Sequence, residues 1–314
     1  MWLRGVTPHL RFGARQLAAR APNALNQDSM SEPSASLRHA RVMTYNVHGF
    51  VGTDGACDPE RVAAAIEQSA PDLVALQEVE FGKSERDQHA RCEWLGKRLG
   101  MHCHFTLTRP GLSGGQFGNA VLSRHAFELI SEGSLPRRGG EPRAVQWLKI
   151  RAPHQDFYLM NTHLGVWFWQ RYAQIRALLG AEWLIRAGTD LPLVVCGDFN
   201  ATPLSFVYRA LARDLLDVQS CAPQRFSTWP SSRPLMRIDH MFVSREFRVQ
   251  ACAVERNTLT RIASDHLPLL AVLEWGDAPE RAAGASDSWA SRAEVTPNRA
   301  ELTQVGAAPD RRPE

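Results

Sequence analysis

Six times along this chain of 314 residues, a short apolar run breaks off into a carboxylate, an amide or a histidine. Residues 42–45 lead into Asn46, residues 73–76 into Gln77 and Glu78, and residues 158–160 into Asn161, Thr162 and His163. Residues 193–196 lead into Gly197-Asp198-Phe199-Asn200, and Ile238-Asp239-His240-Met241 and Ser264-Asp265-His266-Leu267-Pro268 complete the set. Apolar runs this short, bounded by polar residues, have the length of buried strands. A sheet presents its chemistry on the loops at its strand ends. One such end means little, because every strand must stop in something polar. Six in one chain point to a fold that gathers strand ends around a common site.

The remaining pattern alternates short β-branched runs with longer amphipathic ones. It predicts strands over 41–47, 73–77, 102–107, 117–123, 126–131, 144–151, 156–162, 193–196, 238–243, 247–255 and 268–274. Asp58 as N-cap with Pro59 behind it starts a helix running to Gln68. Further helices are expected over 85–99, 169–187 and 204–212; the third has Tyr172, Ile175, Leu178, Leu179, Trp183 and Ile185 on its apolar face. No repeat and no Pro/Ser linker interrupts residues 41–276, which implies a single mixed α/β domain of two packed sheets. No run is long and apolar enough to span a membrane.

The formal charge of +3 and pI near 8.6 invite a nucleic-acid reading. The charge, however, is not in the domain. Residues 1–40 carry five arginines against Asp28 and Glu32, which accounts for the whole excess of 36 basic over 33 acidic residues. A neutral body with only three lysines counts against tight duplex binding. The 1–40 leader is Arg-rich and acid-poor, as organelle transit peptides are, and a translation start at Met30 would equally set it aside. It is expected to be disordered, as is the Ala/Arg/Pro/Glu-rich tail over 277–314. A cytoplasmic monomer is expected, unless the leader targets an organelle.

Six cysteines lie far apart without a C-x-x-C pair, and are expected to be buried free thiols. His102-Cys103-His104 falls on a predicted strand, where neighbours point to opposite faces, so a metal cluster there is disfavoured. The strand-end residues are a different matter. Hard oxygen donors without cysteine suit Mg²⁺ or Mn²⁺ rather than zinc. Histidines beside a phosphate can donate to its oxygens. An Asp with an Asn two residues on can position and deprotonate a water, and an Asp–His pair such as Asp239 with His266 fixes an imidazole tautomer. Each has a plain alternative: an Asx-turn for Asn46, an ion pair to Arg237 or Arg245 for Asp239, a surface pair for Arg143. No reactive cysteine is offered as a covalent nucleophile.

The motifs TYNVHG, LQEV, GNAVLSR, NTHLG, GDFN, RIDHMFV and SDHLP, in this order, resemble the endonuclease/exonuclease/phosphatase superfamily. Its members include deoxyribonuclease I, apurinic endonucleases, inositol-phosphate 5-phosphatases and neutral sphingomyelinases. In motif detail, FSTWPSSRPLMRIDHMFV ahead of SDHLP resembles its small uncharacterised bacterial branch. The resemblance covers residues 41–275. It implies a four-layer α/β sandwich of two mixed sheets flanked by helices, and a Mg²⁺-dependent hydrolase of phosphate esters, with Mn²⁺ as a substitute. Carried over, the pattern makes Glu78 the main metal ligand with Asn46 beside it, and Asp265 a further metal- or phosphate-proximal carboxylate. Asp198 matches the residue that activates water and Asn200 the one that holds it. His266 matches the histidine on the scissile phosphate, oriented by Asp239. His163 matches the second histidine of the deoxyribonuclease and sphingomyelinase branches, a departure from the apurinic endonucleases. Asn119 and Arg143 match supporting positions on the phosphate side.

Val166-Trp167-Phe168-Trp169, directly after NTHLG, belongs to no motif. Trp167 and Trp169 could stack on a base, dip into a lipid interface at the membrane periphery, or staple the following helix to the core. The substrate reading is a phosphodiester, with a lipid or small-metabolite ester as the alternative to nucleic acid. A catalytically silent scaffold is the rival of another class, and the full set of acids weighs against it.

Overall fold

In the computed structural model, residues 39–275 are described apart from 82–84, 112–114, 185–189 and 223–225. The expected leader and tail lie outside the described residues, except that His39 and Ala40 already belong to the first strand. That strand, β1 (His39–Asn46), is apolar on both faces, and both are covered. Ala40 and Val42 look into one core, Met43 and Tyr45 into another, as a strand's period of two requires.

The same double burial recurs, which is why the strands read as unbroken apolar runs. One sheet contains β1, β2 (Leu73–Phe81), β3 (His102–Pro110), β4 (Gln116–Ser123), β11 (Phe247–Val254) and β12 (Leu269–Trp275), in the order β11-β12-β1-β2-β4-β3. The other contains β5 (Phe127–Ser134), β6 (Ala144–Ile150), β7 (Phe157–His163), β8 (Leu193–Asp198), β9 (Leu216–Asp217) and β10 (Asp239–Val243), ordered β5-β6-β7-β8-β10-β9. Each sheet is antiparallel except for its central pair: β1 with β2, and β7 with β8. Leu73, Ala75, Leu148, Leu159, Val194 and Ala271 fill the space between the sheets. Helices α1 (Pro59–Ser69) and α2 (Glu85–Leu99) cover the first sheet; α3 (Phe168–Leu178) and α4 (Phe206–Ala212) cover the second. This is the four-layer sandwich expected. Among the described residues, no helix is long and apolar enough to cross a membrane.

Local chemistry explains the starts. Asp58 accepts from the Arg61 backbone N–H, with Pro59 in the first turn of α1, a cap worth about 1 kcal/mol. A short α5 (Thr258–Ala263), absent from the sequence reading, is closed by a capping box between Asn257 and Thr260. The expected helix over 169–187 is corrected. The helix ends at Leu178, and residues 185–187 lie outside the described residues. Ile175, Leu178 and Trp183 are buried as expected, but Tyr172 faces solvent, and Gln170 and Gln174 are buried as well. The Gln170 amide donates to Glu141 O and the Gln174 amide accepts from the Gly165 N–H, so two polar side chains share the face the periodicity assigned to apolar ones.

The cysteine reading is also corrected. Cys92 on α2 and Cys103 on β3 form a disulfide, and Cys57 and Cys221 are exposed rather than buried. Sequence spacing missed the bond because a helix and a tight turn fold its partners back on each other. His102 and His104 point away from it, towards Phe127 and Glu132.

Candidate active site

The parallel pairs decide where strand ends meet. Asn46, His163 and Asp198 are the last residues of β1, β7 and β8. Strands running the other way begin at the same end. Asp239 opens β10, Arg143 immediately precedes β6, and His266 lies just ahead of β12. In register, His163 pairs with Asp198 and Asp239 pairs with Asp198. The three therefore stand abreast on one face of one sheet. The other sheet reaches them through Asn46, whose Nδ2 donates to Asp198 Oδ2 at 3.0 Å and to Glu78 Oε1 at 3.1 Å.

Glu78 is delivered by a break in the pleat. The β2–β4 register slips between Leu76 and Val79, and Glu78 within the slip has φ of +56°. Asn200, beyond β8, has φ of +48°. Left-handed backbone at a non-glycine residue costs about 1–3 kcal/mol and persists where surroundings enforce it. Here it aims two polar side chains at one point. The Asn200 backbone N–H donates to Asp198 Oδ1 at 2.8 Å, and its side chain donates to Leu164 O.

The two histidines are shifted in opposite directions. His266 donates from Nδ1 to Asp239 Oδ2 at 2.9 Å, and its Nε2 lies 3.7 Å from Asp198 Oδ2. Burial alone would lower its pKa, but the carboxylates of Asp239, Asp198 and Asp265 outweigh that and raise it to about 10. His163 is pushed well below its ordinary value by burial and by the Arg143 guanidinium. Arg143 can only donate, so Nδ1 of His163, 3.1 Å from Nη1, is the acceptor there, while Nε2 lies 3.0 Å from the Asn200 amide nitrogen. His163 Nε2 is also 3.5 Å from Asp198 Oδ2. Asp198 itself is raised by burial and by the nearby Asp239 charge.

A model of the Endonuclease/Exonuclease/phosphatase family matches residues 43–266, more than two thirds of the chain. The chain belongs to this family. YbhP of Escherichia coli is 29% identical over 250 residues, covering 74% of this chain and 94% of YbhP. A solved endonuclease/exonuclease/phosphatase structure from Beutenbergia cavernae superposes with TM-score 0.62 at 29% identity, over 77% of this chain and 73% of that one. The human Nocturnin catalytic domain, solved with a bound sulfate, shares the fold at TM-score 0.59 and 23% identity, over 76% and 96% of the two chains.

Within this member of the Endonuclease/Exonuclease/phosphatase family, Glu78, His163 and Asp198 form one compact group, and Asp198, Asp239 and His266 a second that shares Asp198. Asp265 stands apart at the rim, where Oδ2 accepts from Trp229 Nε1 at 3.2 Å and Oδ1 lies 3.7 Å from His48 Nδ1. Asn119 does not reach the acids. It lies on β4 near the Glu78 slip and donates to Ala144 O, bracing the segment that carries Arg143. Arg143 is buried between His163 and Glu141. Arg237, a conceivable partner for Asp239, is instead taken by Asp217. Trp167 and Trp169 are exposed, so they do not staple α3 to the core.

Sequence reasoning missed what lies beneath the site. Asn161, fully buried, donates to Leu76 O, Ala120 O and Gln146 Oε1, and accepts from Gln77 Nε2 at 2.8 Å. This amide cluster bonds one sheet to the other directly under the catalytic end. The signal was present in Gln77 and Asn161 at strand ends, but nothing in a linear pattern says that they face each other.

Proposed function

We propose that this chain is a Mg²⁺-dependent hydrolase of phosphate esters, most simply a phosphodiesterase, in which water rather than a side chain attacks phosphorus. The observation that carries this reading is the surroundings of Asp198 Oδ2: Asn46, His163 and His266 within 3.0–3.7 Å, with Glu78 on the other arm of Asn46. The donor set suits a hard cation. It contains carboxylates and histidines and no thiol, and Asp239 Oδ1 is a buried carboxylate oxygen without a hydrogen-bond partner. Glu78 would hold the cation, with Asn46 beside it and Asp265 nearer the rim. When bound, the cation supplies positive charge to a phosphate oxygen and eases approach of the nucleophile.

The remaining work falls to the chain's own residues. Asp198 takes the proton of the attacking water; burial raises its proton affinity, which suits a base operating near neutral pH. The Asn200 N–H ties down Oδ1, so Oδ2, which accepts from Asn46 and faces both histidines, is the oxygen placed for that role. His266, held protonated by Asp239, offers Nε2–H to a phosphate oxygen. His163 closes the opposite flank, its ring fixed between the Arg143 guanidinium at Nδ1 and the Asn200 amide at Nε2.

The test is hydrolysis with Mg²⁺ or Mn²⁺ across single- and double-stranded DNA, RNA, sphingomyelin, glycerophospholipids and inositol phosphates. At least one class should be cleaved. Asp198→Asn should lower that rate by about 10²–10⁴-fold with an unchanged circular dichroism spectrum, and EDTA should abolish it. Activity that survives EDTA and Asp198→Asn would refute the assignment.

A further inference from the structure

Beside the catalytic end lies a platform the reaction does not use. Val166, Trp167, Phe168 and Trp169 are each more than half exposed, and Leu204 is 87% exposed. They follow closely on site residues: four positions separate His163 from Trp167, and four separate Asn200 from Leu204. Four residues span at most about 14 Å, so the platform flanks the site. Monomeric soluble proteins seldom gather large apolar side chains this way without a partner.

The rings are already engaged with one another. Trp167 and Trp169 stack with centroids 5.2 Å apart and planes within 11°, and Phe168 meets Phe206 edge-on at 5.2 Å. No slot remains between the two indoles for a base. Trp169 Nε1 donates to Arg138 O, and a Cβ on Gly140 would lie 3.2 Å from Trp167 Cδ1. The loop carrying Arg137 and Arg138 therefore packs on the platform. The two exposed aliphatic chains, Val166 and Leu204, extend the apolar surface where a nucleobase would gain nothing from them.

Charge names the occupant. The three segments that build the platform, 133–140, 164–180 and 199–213, contain six arginines and no aspartate or glutamate. They stand out in a domain whose charges nearly balance as a whole, 26 basic against 24 acidic over residues 41–276. Exposed aromatic and aliphatic side chains ringed by arginines match a bilayer interface bearing anionic headgroups: rings settle at the headgroup level and guanidinium groups meet the phosphates. We infer that this platform docks the protein on an anionic phospholipid surface, with the catalytic end towards the bilayer. The docking stands on the platform alone. The further statement that a phospholipid is the phosphate ester rests on the hydrolase reading above.

The experiment is co-sedimentation of the full chain with large vesicles of phosphatidylcholine alone, or with phosphatidylglycerol added, in EDTA so that turnover plays no part. The chain should partition onto the anionic vesicles with a blue shift in tryptophan emission, and release as salt is raised. The triple substitution Trp167→Ala, Phe168→Ala, Leu204→Ser should weaken partitioning by about tenfold or more, while hydrolysis of a soluble p-nitrophenyl phosphodiester is unchanged. Arg176→Gln with Arg209→Gln, which removes only exposed charge, should lower partitioning to anionic vesicles alone. Failure of the wild type to bind either vesicle would overturn the inference. So would quenching by single-stranded oligonucleotide in place of vesicles, or a dimer lost in the triple variant without vesicle binding. If vesicles bind but no ester is cleaved, the hydrolase reading fails and the docking surface stands.

Discussion

Replacing Asp239 by Asn keeps the shape of the site and removes one charge from beside His266. The ion pair is short, 2.9 Å from Nδ1 to Oδ2, and both groups are buried. With charge centres about 4 Å apart and an effective dielectric near 20, one such interaction amounts to about 4 kcal/mol. At 1.36 kcal/mol per pH unit this is about three units. His266, raised to about 10 in the wild type, should then titrate near neutrality in Asp239→Asn. Asp198 should move the same way, because the carboxylate that raises it has gone. Histidine-detected ¹⁵N NMR of the EDTA-treated protein between pH 5 and 10.5 reads the ring directly. A wild-type ring that stays protonated at pH 8.5 and a variant ring that is neutral there are the expected pair. Under turnover conditions the variant should lose about 10²–10⁴ in kcat, more at pH 8.5 than at pH 6. If His266 titrates identically in both proteins, Asp239 does not hold its proton and the role assigned to the pair is wrong.

Two further outcomes test the scaffold. Asn161→Leu fills the space but strands Gln146 Oε1 and strips partners from Leu76 O, Ala120 O and Gln77. Chemical denaturation should show a loss of about 3 kcal/mol, and a variant within experimental error of the wild type would mean that the inter-sheet amide cluster contributes little. His240 donates to Ala201 O, has no partner for Nδ1, and is pushed down to about 4 by burial and the Arg237 charge. Its folded pKa lies below the unfolded value near 6.5, so the unfolded chain binds more protons between about pH 4 and 6.5. The stabilisation from keeping this ring neutral is complete above that window and is lost as pH falls through it, by about 3 kcal/mol between pH 7.5 and 4.5. His240→Gln should flatten that part of the stability profile; an equally steep profile in the variant would remove His240 as its cause.

Much of this molecule was readable as text because both faces of its central strands are buried. Residues such as Val42, Met43, Leu73 and Val74 give uninterrupted apolar runs, and the polar residue that ends each run is therefore conspicuous. The helix over 85–99 and the Asp58–Pro59 start were legible because capping and 3.6-residue spacing are local. What failed was the face that depends on a distant neighbour. Tyr172 fits the apolar stripe of α3 by spacing, yet it lies outside beside Phe206, and Gln174 lies inside because the Gly165 N–H needs its oxygen. The Cys92–Cys103 bond was hidden for the same reason: spacing along the chain says nothing of the fold-back between α2 and β3.

The site itself divides along that line. Its residue types follow from strand ends, but its geometry depends on three facts no linear pattern carries. Asp239 lies opposite Asp198 only because β10 inserts beside β8, across forty intervening residues. Asn46 can touch both acids only because the parallel pairs of the two sheets end at the same side of the sandwich. Glu78 reaches the cluster only because β2 slips against β4 and accepts a left-handed residue there. A regular β2 would hold the pleat through residue 78 and send the next side chain to the other face, since a shift of one residue exchanges the faces of a strand. The strain at Glu78 and Asn200 is thus the local cost of bringing a carboxylate from one sheet and an amide from the other to the same few ångströms, and the amide cluster around Asn161 is what keeps the two sheets from sliding to relieve it.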